Sequence, residues 1–264
     1  MTSGPQESAA TGKTPAGTAT KKPPADAGEW NPSSSVEPAR RPEPARRPWI
    51  VGVSGASGTP YAASVLRGLL DAKLPVDLVV SRAARLTLLD ETGRPFRDAH
   101  WRDDLATWLG RDLAGDDLRY WAAGDLAAGP SSGSYPARGM VVVPASTAAC
   151  AGIALGLSKD LLQRAAEVNL KERRPVVVVP RETPVSRSHL EHLLALHDAG
   201  AVVLPASPGF YGTGGQVSVQ SLIDFVAGKA LDALEVPHSL LTRWSGQVRD
   251  ARPSHTYPRV FPNS

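Results

Sequence analysis

The sequence predicts an α/β fold built on one open, doubly wound parallel sheet, and three observations carry that expectation. Short runs rich in β-branched residues recur along the chain. Helical patterns with one apolar face lie between them. Small and hydroxyl residues follow each run. Strand–helix alternation of this kind gives a Rossmann-like sheet covered by helices on both faces.

The strands read WIVGV at 49–53, VDLVV at 76–80, MVVVP at 140–144, PVVVVP at 175–180 and AVVLP at 201–205. Nearly unbroken apolar character over so few residues fits strands buried on both sides. Pro60 opens a first helix whose inner face is Ala62, Val65, Leu66, Leu69 and Leu70. Leu161, Leu162, Ala165, Ala166 and Val168 mark a later one. Val219, Leu222, Ile223, Val226, Ala230 and Leu234 mark the last. These elements form one domain over residues 49–248.

Two flanks are expected to stay outside it. Residues 1–48 are rich in Pro, Ala, Ser, Thr and Gly and contain no Leu, Ile or Phe. Such a leader cannot offset its ordering entropy by burial, so disorder is expected. Residues 249–264 form a polar tail. Arg40-Arg41 and Arg46-Arg47 read as a solvated basic linker, because the run that follows is broken by glycine and is no signal core. The formal charge is +3, and the leader supplies much of it, so no nucleic-acid partner is expected. No apolar run nears the roughly 18 residues of a membrane span. The single cysteine, Cys150, allows no internal disulfide, which points to a reducing, cytoplasmic setting.

Ligands of doubly wound sheets bind at the carboxyl ends of the strands. The residues there are Ser54-Gly55-Ala56-Ser57-Gly58, Ser81-Arg82, Pro144-Ala145-Ser146-Thr147, Arg181-Glu182-Thr183-Pro184 and 205-PASPGFYGTGG-215. The first loop is glycine-rich, but Gly52, Gly55 and Gly58 give G-x-x-G-x-x-G. That is neither the dinucleotide spacing nor a P-loop. Helix starts preceded by Ser or Thr attract anions, so a phosphate-bearing ligand is expected, and there is chemistry enough for two. Arg164, Glu167 and Lys171 follow at i, i+3, i+7 on one helix stripe. Alone, that stripe reads as a solvated, ion-paired face. Beside Arg181-Glu182 it reads as a phosphate clamp around a proton-holding carboxyl group.

Other signals have plainer readings. His189 and His192 share a helix face without the spacing of a metal motif. Cys150 follows Thr147-Ala148-Ala149 on an apolar helix, as a packed small residue would. Asp103-Asp104 and Asp116-Asp117 do not continue as D-D-x-x-D and read as helix starts or turns. No metal is expected.

The runs 52-GVSGASGTPYA-62, 161-LLQRAAEVNLKERRPVVVVPRETP-184 and 200-GAVVLPASPGFY-211 closely resemble the UbiX-type flavin prenyltransferases, over about 49–244. The resemblance implies a flavoprotein-type sheet and a specific reaction. A dimethylallyl group passes from dimethylallyl monophosphate to N5 and then C6 of reduced FMN. The product, prenylated FMN, serves UbiD-type decarboxylases. It further implies that Gly55, Ala56, Ser57, Ser81, Ser146, Thr147, Ala148, Ala149 and Arg181 contact the flavin. Arg164, Lys171, Tyr211 and Lys229 would hold the prenyl phosphate, and Glu182 with Ser57 would manage the proton on the leaving group. Such proteins are dodecamers with sites at subunit junctions.

Three positions depart from the usual pattern. Lys229 stands where arginine is common, Ala149 where a hydroxyl residue is, and Leu126 where some members have tryptophan. Two other readings compete. An FMN-dependent cysteine decarboxylase would carry P-A-S-A-N-T where this chain has Pro144-Ala145-Ser146-Thr147-Ala148-Ala149, and a histidine before His100. A non-catalytic FMN-binding accessory subunit would not need the second phosphate clamp.

Overall fold

Trp49, Val51 and Val53 of the first strand join one buried cluster and Ile50 joins another, so this strand is covered on both faces. The computed structural model describes Met1 and residues 46–210 and 217–243. Six parallel strands form its sheet: β1 (Trp49–Val53), β2 (Val76–Val80), β3 (Leu118–Ala122), β4 (Gly139–Ala145), β5 (Val176–Pro180) and β6 (Val202–Val203). Their order is β3-β2-β1-β4-β5-β6. The chain thus winds one way from β1 to β3, then returns to β4 and winds the other way.

The helices are α1 (Thr59–Asp71), α2 (Arg82–Thr92), α3 (Trp101–Leu109), α4 (Thr147–Ala154), α5 (Leu161–Lys171), α6 (Arg187–Asp198) and α7 (Val219–Ala233). Residues of α1, α2, α3 and α7 pack with Trp49, Val51 and Val53. Residues of α4, α5 and α6 pack with Ile50, Met140 and Val142 on the other face. The anticipated faces of α1 and α5 are the buried ones.

Three details differ from the sequence reading. β3 was not anticipated: its residues, LRYWA, are mostly half-exposed because an edge strand has one neighbour. β6 pairs with β5 over only two residues, Val202 and Val203, rather than along 201–205. Val219, expected on the inner face of α7, is 76% exposed. The α7 contacts start farther along, where Ser64 of α1 meets Asp224 at 2.6 Å, so the first turn overhangs. Among the described residues no helix is long and apolar enough to cross a membrane.

Candidate active site

β1 and β4 are neighbours, yet the connections leaving them go to opposite faces of the sheet. The segments that follow their carboxyl ends therefore diverge, which is where sheets of this kind hold a ligand crevice. Ser54 bridges its floor. Its hydroxyl donates to the Pro144 carbonyl at 2.8 Å and accepts from the Ser146 amide at 2.7 Å. Gly55 lies so close to α2 that a Cβ there would overlap the Cβ of Ala83. Any larger residue would push the loop and α2 apart.

Hydroxyls cap the two helices that start beside this loop. Ser81 accepts from the Ala84 amide at 3.1 Å, and Ser146 from the Ala149 amide at 3.2 Å. Both caps settle only part of each helix's unpaired N–H set. Arg181, half-buried after β5, donates from Nε to the Ser57 carbonyl at 3.1 Å. Ser57, Ala148 and Glu182 stand exposed around the mouth, while Ala56, Ser81 and Ala149 are buried.

The start of α1 behaves differently. The Glu91 carboxylate, reaching back from α2, accepts from the amides of Gly58 (2.7 Å) and Thr59 (2.8 Å) and from the Thr59 hydroxyl (2.6 Å). Burial pushes the Glu91 carboxyl group up, but hydrogen bonds from Thr59, Ser57 and Gly58 outweigh it and hold it below the ordinary range. The anion expected at this helix start is thus a side chain of the protein itself. Nothing in the sequence pattern marked Glu91, which sits more than 30 residues from its partners inside an ordinary helical run.

The remaining features suit a flavin mononucleotide. A crevice at the switch between β1 and β4, small walls at Gly55 and Ala56, two hydroxyl-capped helix starts and one guanidinium match a flat ring with a phosphate tail. The residues assigned to the flavin from sequence, from Gly55 to Ser57, Ser81, Ser146 to Ala149, and Arg181, all lie at this edge.

The cationic residues are arranged otherwise. The amide of Leu161, at the start of α5, donates to the Ala123 carbonyl just past β3, so α5 begins at the carboxyl edge. Ten residues later, about 15 Å along the helix, Lys171 reaches the amino edge, where β5 begins. Glu182 follows the far end of β5. Lys171 and Glu182 of one chain therefore sit at opposite edges. Each lies beside a hollow. One of about 680 Å³ is lined by Lys171, Arg173, Arg174 and Asp198. One of about 300 Å³ is lined by Glu182, Thr147, Cys150, His189 and Leu193.

Arg164 turns outward, donating to the Ser131 carbonyl at 3.1 Å and pairing with Glu167 at 3.1 Å. Lys171 pairs with Glu172 at 2.5 Å. Of the expected ion-paired stripe, the Arg164–Glu167 pair is present, while Lys171 pairs with Glu172, off the stripe. Lys229 lies 3.7 Å from Asp232, which also takes Arg243 at 2.8 Å and His238 at 3.1 Å. Tyr211 falls outside the described residues. Leu126, in the turn after β3, is 49% exposed.

The plainer readings also have their places. Cys150 is buried, and burial pushes its thiol up to about 12. His189 Nδ1 accepts from the Ser186 amide in a capping box that starts α6. Asp104 is buried in the first turn of α3 and bonded to Arg97.

Residues 37–231 match the Flavoprotein family. Flavin prenyltransferase UbiX of Streptomyces coelicolor is 64% identical over 216 residues, covering 78% of this chain and 99% of that protein. This chain belongs to the UbiX-type flavin prenyltransferases. A second family member, AnUbiX (PadA1), was solved in complex with FMN and dimethylallyl pyrophosphate. It superposes with a TM-score of 0.67 at 36% identity, covering 77% of this chain and all of that one. A dodecameric FMN-dependent UbiX-like decarboxylase from Escherichia coli O157:H7 superposes at 0.65 with 36% identity, covering 75% and 99%. The family match at 37–231 spans every strand of the sheet, from β1 to β6.

Proposed function

We propose that this chain transfers a dimethylallyl group from dimethylallyl monophosphate to reduced FMN, yielding the prenylated flavin used by a UbiD-type decarboxylase. The observation that carries the reading is the pair Arg181-Glu182 at the flavin crevice, in a chain 64% identical to a flavin prenyltransferase. A protein that only carried flavin would have no use for an exposed carboxyl group beside it.

Bound reduced FMN supplies the nucleophilic nitrogen. The protein supplies position and charge. Arg181 fixes the loop at Ser57, and Ser81 and Ser146 present helix starts to the flavin phosphate. A monophosphate leaves poorly until its charge is neutralised and an oxygen is protonated. Arg164, Lys171, Lys229 and Tyr211 neutralise it, and Glu182, with Ser57, gives the proton as the allylic C–O bond breaks and phosphate departs. Because Lys171 and Glu182 stand at opposite edges of one chain, the working site joins residues of two chains. The dodecameric relative supports an assembly of that kind. The protein acts without a metal ion, in the cytoplasm.

The test is anaerobic incubation of purified protein with reduced FMN and dimethylallyl monophosphate, followed by mass spectrometry of the extracted flavin. Wild type should yield a flavin heavier by one five-carbon unit, and Glu182→Gln little or none. Bound FMN with no added mass, with the diphosphate and longer prenyl phosphates failing too, would leave an accessory flavoprotein instead.

A further inference from the structure

Tyr135 sits in the loop between β3 and β4, and its hydroxyl reaches the amino end of β2. Its hydroxyl donates to the Asp77 carboxylate at 2.5 Å. Asp77 is fully buried near the start of β2, and Arg119 of β3 holds its other oxygen at 3.0 Å. The Tyr135 ring packs edge-on against Trp121, with centroids 6.3 Å apart. It also covers Gly129, where a Cβ would come within 2.6 Å of two ring carbons. One end of residues 129–135 is therefore anchored to two strands.

The other side of this loop meets the cationic residues. The Ser131 carbonyl accepts from Arg164 Nε at 3.1 Å. The Gly133 carbonyl accepts from Arg174 Nη2 at 2.7 Å. A Cβ at Gly133 would overlap the Glu172 carboxylate and stand 2.8 Å from Lys171 Nζ. The Gly133 backbone thus stands directly against the Lys171 and Glu172 side-chain ends, which a side chain there would displace. Carbonyl oxygens aim cations well only when the backbone carrying them is fixed.

We infer that Tyr135, seated on Asp77, is a positioning residue that fixes the 129–135 loop and through it the orientation of Arg164 and Lys171 toward the prenyl phosphate. The inference rests on the proposed function. It separates Tyr135 from the flavin half of the site, which the 129–135 loop does not touch in the contacts described above.

Tyr135→Phe removes the hydroxyl and keeps the ring. The oligomer carrying it should show a KM for dimethylallyl monophosphate raised roughly 5- to 10-fold, the loss of about one well-placed hydrogen bond. Its kcat should fall as well, by no more than a similar factor, because the same cations neutralise the leaving phosphate, and FMN affinity should not change. Calorimetric titration of dimethylallyl monophosphate into protein loaded with oxidised FMN gives the same comparison without turnover. Asp77→Leu, which removes the acceptor together with its buried charge, should reproduce the effect and stands in if Tyr135→Phe does not fold. A folded variant with wild-type donor affinity overturns the inference while leaving the function intact. Equal losses for FMN and donor overturn it in favour of general support of the fold. A wild type that neither binds the donor nor alters the flavin overturns both.

Discussion

From α2, the Glu91 carboxylate holds Thr59 at two points, its amide at 2.8 Å and its hydroxyl at 2.6 Å. A third bond, from the Gly58 amide, completes a cap made by a residue of another helix. Because these donors favour the ionised form, the Glu91 group is held below its ordinary value of 4.5. A depressed carboxyl group adds stability above its unfolded pKa and loses it as pH falls through the folded one. Glu91→Gln should therefore cost about 1 kcal/mol at neutral pH, the usual worth of a partly exposed helix cap. The gap from wild type should close in acid, below about pH 4. Thermal unfolding of both proteins across that range checks it.

Lys171 and Glu182 offer a test of shared sites. Lys171→Ala and Glu182→Gln should each abolish prenylation alone. Co-expressed, they should regain activity, because random pairing makes about a quarter of the junctions intact. Flavin mass spectrometry on the mixed oligomers reads the outcome. No recovery in assembled mixtures would place both residues in one chain's site.

Cys150 is 3% exposed, and its thiol is pushed up to about 12. The thiolate is the reactive form, so the native protein should resist iodoacetamide near neutral pH. Full labelling is expected only in denaturant. Mass spectrometry of intact protein distinguishes the two, and rapid native labelling would show that the cavity beside Glu182 opens.

Leu66 is completely buried in α1, in the cluster that includes Val51 and Leu231. Leu66→Ala should lower stability by about 2–5 kcal/mol through lost burial and a residual cavity. Urea unfolding measures this, and an effect below about 1 kcal/mol would mean the α1–α7 layer collapses to fill the space.

Much of the fold is legible because burial leaves a plain trace. β1, β2, β4 and β5 read as nearly continuous apolar runs, since both of their faces are covered. β3 left no such trace. An edge strand tolerates Arg119 and Tyr120, and its polarity hid it. The residues that gather at the carboxyl edge of the sheet were legible as those that follow each strand. Glu91 was not, because a cap supplied by another helix depends on packing, not on spacing. The separation of Lys171 from Glu182 follows from topology. A helix leading into a parallel strand must end where that strand begins, so its last residue faces away from the edge where the strand delivers its ligand residues. Tyr135 escaped notice because its partner, Asp77, lies 58 residues away in a strand read only for its apolar neighbours.

The far side of the sheet ends in β6, with two paired residues. Fibres grow when a long exposed strand templates the backbone of another chain. Two residues give an incoming strand too little to copy. Of the exposed apolar groups here, Leu190 and Leu194, at 55% and 60%, belong to α6, and Val202, at 45%, belongs to β6 itself. A neighbour meeting this flank would be held by side-chain fit more than by backbone pairing, and side-chain fit is the more selective of the two. An edge this short gives backbone pairing no means of propagating from one chain to the next.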